Sequence, residues 1–133
     1  MMEQRSRTVR DFMTTDVHVL GPDTPIQDAV DFLISYGISG APVVDEGGRI
    51  VGIISEKDCL KLVAKGYDHG SPDETVSYFM TRDVRTVPSH MDIYFLAGMF
   101  LSNPYRRFPV VDGDRLMGLI SRHDVLKAIQ SLR

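Results

Sequence analysis

The sequence is poor in the residues that would stabilise a small secreted scaffold or anchor a chain in a membrane. It has one cysteine, Cys59, and no tryptophan among 133 residues. A single cysteine cannot form an internal disulfide, which excludes a disulfide-stapled scaffold and favours a reducing compartment. No apolar run approaches the length of a membrane-spanning helix, and the polar N-terminus does not resemble a secretory signal. We therefore expect a cytoplasmic protein that is not embedded in a membrane.

A strong charge of either sign is also lacking. The 15 Lys and Arg residues against 18 Asp and Glu residues give a formal net charge of -3. Proteins that bind nucleic acid or acidic membrane surfaces usually carry clustered positive charge, so neither is expected as a partner. The composition, 43% hydrophobic and 25% charged, is that of a globular protein with an ordinary core.

Signatures of catalysis and metal binding are missing as well. The histidines lack ligand spacing, so no metal site is predicted; they are His18, His69, His90 and His123. Neither the phosphate-binding loop Gly-x-x-x-x-Gly-Lys-Ser/Thr nor Gly-x-Gly-x-x-Gly occurs. Cys59 has no His or Asn pattern that would mark a nucleophile, and we interpret it as a small helix residue. We expect no catalytic residues, and an enzyme is the least favoured class.

What the sequence does contain is an internal repeat. Residues 52–58 read Gly-Ile-Ile-Ser-Glu-Lys-Asp, and residues 118–124 read Gly-Leu-Ile-Ser-Arg-His-Asp. The Phe-Met-Thr at 12–14 returns at 79–81, an offset of 67, which falls to 66 after a shorter turn in the second copy. We predict repeats over residues 9–66 and 76–132, joined by a linker at 67–75.

The sequence pattern of each repeat predicts the element order strand, helix, strand, strand, helix. The first strands, 17–20 and 84–87, precede helices whose start signals are Thr24 before Pro25 and the polar run 89–92. Hairpins at 41–54 and 108–120 lead into final helices at 57–65 and 122–132. One such unit cannot cover both faces of its sheet. The predicted fold class is therefore α+β, with two pseudo-symmetric repeats packed sheet to sheet into one compact module.

Together these motifs resemble a known family. Two copies of Gly-h-Ile-Ser-x-x-Asp (h, hydrophobic) in register, each preceded by Phe-Met-Thr, Asp-Val and Pro-Val-Val-Asp, are similar to a tandem pair of CBS (cystathionine-beta-synthase) domains, the Bateman module, over residues 9–132. The resemblance implies a regulatory module that binds an adenosine-containing ligand between its repeats and signals to an unknown effector protein. AMP, ADP or ATP is the favoured ligand, and no cofactor is required.

A homodimer is the second implication of the resemblance, because pairs of this family commonly associate again. The sequence gives independent support in the helix expected at 93–101, which is apolar almost all round. A helix covered on one side only should show a polar stripe. We therefore expect a second buried face on this helix, against the other repeat or against another subunit.

The resemblance also assigns roles to individual residues. In the family the motif Asp holds the ribose, which gives this role to Asp58 and Asp124 and puts Ser55 and Ser121 near phosphate. An ionised carboxylate accepts strong hydrogen bonds from hydroxyls, and a helix N-terminus suits an anion. Apolar strand residues beside each Pro and in each first strand would line the adenine slot.

The two predicted sites are not equivalent. A basic residue two positions before the Pro often meets phosphate in relatives, which favours Arg107, with Arg106, because the Arg fork donates paired hydrogen bonds. The predicted main site comprises Val17, Ala41, Pro42, Ser55, Asp58, Arg106 and Arg107. The second, weaker site comprises Ser39, Gly40, Val84, Phe108, Pro109, Ser121 and Asp124.

Two interpretations without a ligand stay open. Ser-x-x-Asp at a helix start is also a capping box, which stabilises the helix by itself, although a carboxylate has capacity for further donors. Arg106 and Arg107 can equally belong to a solvated basic loop. The alternative function is therefore a ligand-free dimerisation or protein-interaction module of the same family.

Overall fold

A computed structural model of the chain describes residues 7–64 and 74–131, and within them it contains six helices and five strands. In chain order they are α1 (Val9–Phe12), α2 (Ile26–Tyr36), β1 (Gly40–Val44), β2 (Ile50–Ser55), α3 (Glu56–Ala64), α4 (Val76–Phe79), β3 (Val87–Pro88), α5 (Ile93–Ser102), β4 (Arg107–Asp112), β5 (Arg115–Ser121) and α6 (Arg122–Ser131). This mixture confirms the α+β class. Most of the linker predicted at 67–75 lies outside the described residues, as do the last residues predicted for both final helices.

The chain divides into two compact units that do not coincide with the two sequence repeats. The Asp58 unit is His18–Val84, so it holds the body of the first repeat and the beginning of the second. The Asp124 unit combines the described part of residues 1–17 with that of residues 85–133. Each unit thus takes its Phe-Met-Thr segment from the other repeat, an exchange that the sequence pattern did not predict.

In the Asp58 unit the exchanged segment carries α4. Ile53 and Thr81 are joined by two main-chain hydrogen bonds of 2.9 and 2.8 Å. Val76 is fully buried. A Cβ on Gly52 would lie 2.6 Å from the Met80 sulfur and 2.9 Å from the Thr81 carbonyl oxygen, so this approach requires glycine.

The Asp124 unit repeats this arrangement with α1. Thr14 and Leu119 are joined by two main-chain hydrogen bonds of 2.8 and 2.9 Å. A Cβ on Gly118 would lie 2.5 Å from the Thr14 carbonyl oxygen. The Gly that opens each Gly-h-Ile-Ser motif therefore makes room for the Met-Thr of the exchanged segment.

Both predicted hairpins are present. β1 pairs antiparallel with β2, and Gly40 lies opposite Ser55; β4 pairs antiparallel with β5, and Arg107 lies opposite Ser121.

The first strand of each repeat is shorter than predicted. The segment 17–20 forms only a single bridge, Leu20 to Val43, and 84–87 is reduced to the parallel strand β3. Gly21-Pro22 and Pro88 end the extended segments before longer ladders can form.

Helix α2 begins one residue later than predicted. Pro25, not Thr24, is its N-cap residue, and no side chain caps the helix. The first amide of the helix, that of Ile26, donates instead to the main-chain oxygen of Glu74 at 3.1 Å. The exchanged segment therefore supplies the cap. At the other end Gly37, with a φ of 61°, closes the helix in the left-handed conformation, as predicted.

Each unit has its own hydrophobic core. In the Asp58 unit α2 and α3 cover the hairpin with Ile26, Leu33 and Leu62. In the Asp124 unit α5 and α6 do so with Leu96, Val125 and other apolar residues. The motif residues Ile54 and Ile120 are fully buried in these cores, which fixes the position of the Ser that follows each of them.

Candidate functional site

Both copies of the Ser-x-x-Asp motif form the same local structure at the junction of a strand and a helix. Asp58 Oδ2 accepts hydrogen bonds from the Ser55 amide at 3.0 Å and the Ser55 hydroxyl at 2.9 Å, and Ser55 Oγ accepts one from the Asp58 amide at 3.1 Å. Asp124 and Ser121 make the same three bonds at 2.8, 3.0 and 3.1 Å. The capping box is thus present in both copies. It uses Oδ2 and leaves Oδ1 of each carboxylate for other donors.

The two carboxylates differ in what contacts Oδ1. Lys61 Nζ donates to Asp58 Oδ1 at 3.1 Å, and the Thr81 hydroxyl lies 3.2 Å from the same oxygen and 3.4 Å from Oδ2. Asp58 is 4% exposed. Asp124 is half-buried, and within the described part of the chain no donor contacts its Oδ1. Asp124 therefore keeps acceptor capacity for a ligand, whereas Asp58 is already saturated.

The charged residues around the two helix starts also differ, and this difference again favours the Asp124 motif. Arg107 lies directly opposite Ser121 in the β4–β5 pair, and the Arg122 amide donates to the Arg106 carbonyl at 3.1 Å. At the matching positions of the Asp58 unit stand Gly40, opposite Ser55, and the pair Ser39 and Glu56, joined by a 2.9 Å main-chain bond. The main chain of Arg106 and Arg107 thus lies at the start of α6, which begins with Arg122, while α3 begins with Glu56 and Lys57. The sequence prediction grouped Arg106 and Arg107 with Asp58, and that grouping stays a prediction. Within their own unit, the main chain of both arginines lies beside the Asp124 motif.

The residues predicted to line the adenine slot are distributed over both units. Ala41 and Pro42 are buried in the Asp58 unit, and Phe108 and Pro109 are buried in the Asp124 unit. Phe108 packs in the core, with its ring centroid 4.9 Å from that of Phe100. These residues could meet a base only through their main chain. The half-buried side chains of Val17, in the Asp124 unit, and Val84, in the Asp58 unit, are more accessible.

Two residues of the Asp58 site were missed by the sequence analysis, Lys61 and Thr81. Thr81 stood out only as part of the repeated Phe-Met-Thr, and its contact with Asp58 depends on the exchange of segments between repeats. Lys61 follows Asp58 by three residues, a spacing at which helix side chains meet, so this pair could have been predicted.

Cys59 lies beside Asp58 on α3 and lines a groove of about 400 Å³ between α2 and α3. Burial raises the pKa of the Cys59 thiol above its ordinary value, and the negative charges of Asp58 and Glu56 raise it further. A raised pKa keeps the thiol protonated and unreactive near neutral pH. The geometry supports the interpretation of Cys59 as a structural residue.

Over residues 7–64 and 74–131, no group of three or more His, Cys, Asp or Glu side chains is arranged to hold a metal ion. None of the helices described is long and apolar enough to cross a membrane.

Comparison with known families matches the chain twice to the model of the CBS domain, at residues 9–65 and 76–131. The chain belongs to the CBS domain family. It is a tandem CBS pair, as its motifs indicated. A CBS domain is itself non-catalytic.

Solved CBS pairs resemble this one over nearly their whole length. The structure of the CBS-pair protein CBSX2 in complex with AMP is 32% identical, covers 94% of this chain and 97% of that chain, and superposes with a TM-score of 0.79. CBSX2 comes from Arabidopsis thaliana. The CBS domain pair of protein MJ0100, in complex with 5-methylthioadenosine and S-adenosyl-L-methionine, is 26% identical, covers 95% of this chain and 98% of that chain, and has a TM-score of 0.74.

Curated relatives include larger proteins. The A-adding tRNA nucleotidyltransferase of Aquifex aeolicus is 35% identical over 122 residues, which is 92% of this chain and 14% of the enzyme. The uncharacterised protein MJ1225 of Methanocaldococcus jannaschii is 28% identical over 123 residues, 92% of this chain and 43% of its own length. The chain therefore spans less than half the length of these two relatives.

Proposed function

We propose that this CBS pair is a regulatory module that binds a phosphorylated adenosine ligand, of the AMP, ADP or ATP type, and signals its presence to an effector protein. The observation that carries the proposal is the Asp124 motif. It combines a half-buried carboxylate whose Oδ1 accepts no bond from the described residues with a helix that begins with Arg122 and has the main chain of Arg106 and Arg107 at its start.

The Asp124 motif suits a nucleotide in two ways. The carboxylate can accept hydrogen bonds from ribose hydroxyls, and bonds to an ionised acceptor are the stronger kind. The positive end of the α6 dipole, together with Arg107 and Arg106, favours the negative charge of phosphate. The ligand complexes of CBSX2 and MJ0100 support the adenosine class.

The assignment of the main site therefore changes from the sequence-based proposal. That proposal ranked Asp58 first and gave it the arginines, whereas the hydrogen bonds and the positions of Arg106 and Arg107 favour Asp124. Ser121 accompanies Asp124 in this proposal. The residues Ser39 and Gly40 lie beside the Asp58 motif, and their role as ligand contacts stays a prediction, as do the adenine contacts.

Signalling requires that the ligand bind one shape of the module more tightly than another, because a ligand with equal affinity for both states shifts nothing. The effector and the cytoplasmic location remain predictions.

A thermal-unfolding panel tests the ligand class. AMP, ADP, ATP and S-adenosylmethionine are compared with GMP, which has the single phosphate and the ribose of AMP but a different base. A ligand at about a hundred times its dissociation constant stabilises the fold by about 2.7 kcal/mol, on the order of 10 °C for a chain of this size. We expect the adenine nucleotides to raise the melting temperature and GMP to leave it unchanged. Equal shifts with GMP, or none with any compound, would reject the proposal.

We also propose a homodimer, which the ligand-free alternative shares. The observation favouring it is an exposed apolar helix face on each unit: Ile34, Leu60 and Val63 on one, and Leu101, Leu126 and Ile129 on the other. Their exposures range from 49% for Ile129 to 90% for Leu101. These are the same three positions of the repeat, since 101 - 34 = 67, 126 - 60 = 66 and 129 - 63 = 66. An apolar face kept in both repeats is typical of an interface.

A further inference from the structure

We propose that Thr81 and Lys61 act as selectivity residues that keep the Asp58 carboxylate closed to ligand, so that the module binds one nucleotide per chain rather than two. This inference rests on the proposed function, since it explains which of two similar motifs takes the ligand. It goes further by assigning the difference to side-chain contacts made from outside the motif, which are present at Asp58 and absent at Asp124 among the described residues.

The contacts that close the Asp58 carboxylate to a ligand are made to its Oδ1 atom. Its two donors, Lys61 Nζ at 3.1 Å and Thr81 Oγ1 at 3.2 Å, occupy the oxygen that the capping box leaves over. A ribose hydroxyl would have to displace one of them and would gain little by the exchange, because a bond to a charged acceptor is replaced by another of the same kind. Asp58 is also 4% exposed, so a ribose has almost no surface of the carboxylate to approach.

Thr81 is held where it closes the site. Two main-chain hydrogen bonds to Ile53, of 2.9 and 2.8 Å, fix its backbone on the edge of β2. The neighbouring Phe79 and Met80 are buried in the core of the Asp58 unit. The hydroxyl therefore cannot leave Asp58 without a rotation of its own side chain or removal of the exchanged segment.

The Asp124 unit shows the same framework without the closure. Thr14 takes the place of Thr81 and makes the matching main-chain bonds to Leu119, of 2.8 and 2.9 Å. In the described residues, neither the Thr14 hydroxyl nor Lys127, the counterpart of Lys61, bonds to Asp124. The Asp124 unit therefore serves as an internal reference for the Asp58 unit. The two units share these main-chain hydrogen bonds and differ in the side-chain contacts to Oδ1 of the motif carboxylate.

Calorimetric titration with AMP tests this inference. The test variant is Thr81→Val with Lys61→Met, which removes both donors and keeps the volume of each side chain. The matched control is Thr14→Val with Lys127→Met, the same changes at the equivalent positions of the other unit. We expect one site per chain in the wild type and the control, and two sites in the test variant. Thr81→Ser, which keeps a hydroxyl, should behave as the wild type.

The outcomes separate this inference from the proposed function. One site in both the wild type and the test variant would overturn the closure by Thr81 and Lys61 and leave the proposed function intact. Two sites in the wild type would also overturn it, because Asp58 would then be open. Absence of binding in every protein would reject both proposals. If the test variant does not fold, Lys61→Met alone, a change at a side chain 54% exposed, has to yield a second, weaker site.

Discussion

At the scale of single residues, one polar cluster of the Asp124 unit has no counterpart among the described residues of the Asp58 unit. Ser89, which is 3% exposed, donates to Asp112 Oδ1 at 2.6 Å, and Arg10 donates to Asp112 Oδ2 at 3.0 Å. The Arg10 amide also donates to the Ser89 carbonyl at 2.9 Å. The position that matches Ser89 in the first repeat is Pro22, which has no hydroxyl. The cluster therefore fastens the exchanged helix α1 in the Asp124 unit alone.

The cluster predicts a pH-dependent contribution to stability. The hydrogen bond from Ser89 and the charge of Arg10 lower the pKa of Asp112 below its ordinary value, more than desolvation raises it. A depressed folded-state pKa adds stability above the unfolded pKa of about 4, and this stability is lost as the pH falls through the folded value. We expect Asp112→Asn to lower the urea midpoint at pH 7, and the difference from wild type to shrink at pH 2–3.

The control for this measurement is Asp16→Asn, at an exposed carboxylate that has no side-chain partner among residues 7–64 and 74–131. It should leave the midpoint unchanged at both pH values. A loss in Asp112→Asn that is the same at pH 7 and at pH 2–3 would mean that the charge of Asp112 does not contribute.

At the scale of helices, the exposed apolar faces bear on the proposed homodimer. Helix α5 buries Ile93, Leu96 and Phe100, while Phe95 is 65% exposed and Leu101 is 90% exposed. The second buried face that the sequence led us to expect is therefore not found among the contacts within the described chain. A second copy of the chain is the partner that the repeat-matched faces favour, because an interface between identical chains uses the same patch on both.

Sedimentation equilibrium tests this dimer. The wild type should have twice the chain mass of 14.9 kDa at micromolar concentration. Leu101→Asp places a charge in the proposed interface and should weaken dimerisation by at least tenfold. Val19→Asp is the matched control, an apolar-to-acid change at a residue that is 38% exposed and lies outside the helices. A monomeric wild type, or equal dimerisation of both variants, would contradict the proposal.

At the scale of the whole molecule, the exchange of the Phe-Met-Thr segments ties the two repeats together. Each unit completes its core with residues from the other repeat, such as Val76 and Phe79 in the Asp58 unit and Val9 in the Asp124 unit. Neither repeat, cut at its sequence boundary, retains these contacts. The fold is therefore a property of the pair.

The sequence was sufficient for features that depend on local pattern. The hairpins, the C-cap at Gly37 and a helix start within residues 89–92, where Asp92 accepts a bond from the Tyr94 amide at 2.8 Å, all follow from neighbours along the chain. The family and both Ser-x-x-Asp motifs were likewise visible in the repeat.

Features that depend on distant contacts could not be predicted in this way. The cap of α2 comes from Glu74, about fifty residues along the chain, and the closure of Asp58 comes from Thr81, 23 residues away. The grouping of Arg107 with Ser121 is set by strand register, which the resemblance alone did not specify. Sequence similarity made the two motifs look equivalent, whereas they differ in the side chains that contact Oδ1 and in the charged residues at each helix start.

The most direct test of the account is calorimetric titration of AMP into the wild type, Asp124→Asn and Asp58→Asn. Asn keeps an oxygen for the capping bond from Ser but loses the charge that strengthens bonds to ribose. We predict one site in the wild type, binding weakened at least tenfold in Asp124→Asn, and affinity within about twofold of wild type in Asp58→Asn. Loss of binding in Asp58→Asn with retention in Asp124→Asn would contradict the assignment, and absence of binding in the wild type would contradict the proposed function itself.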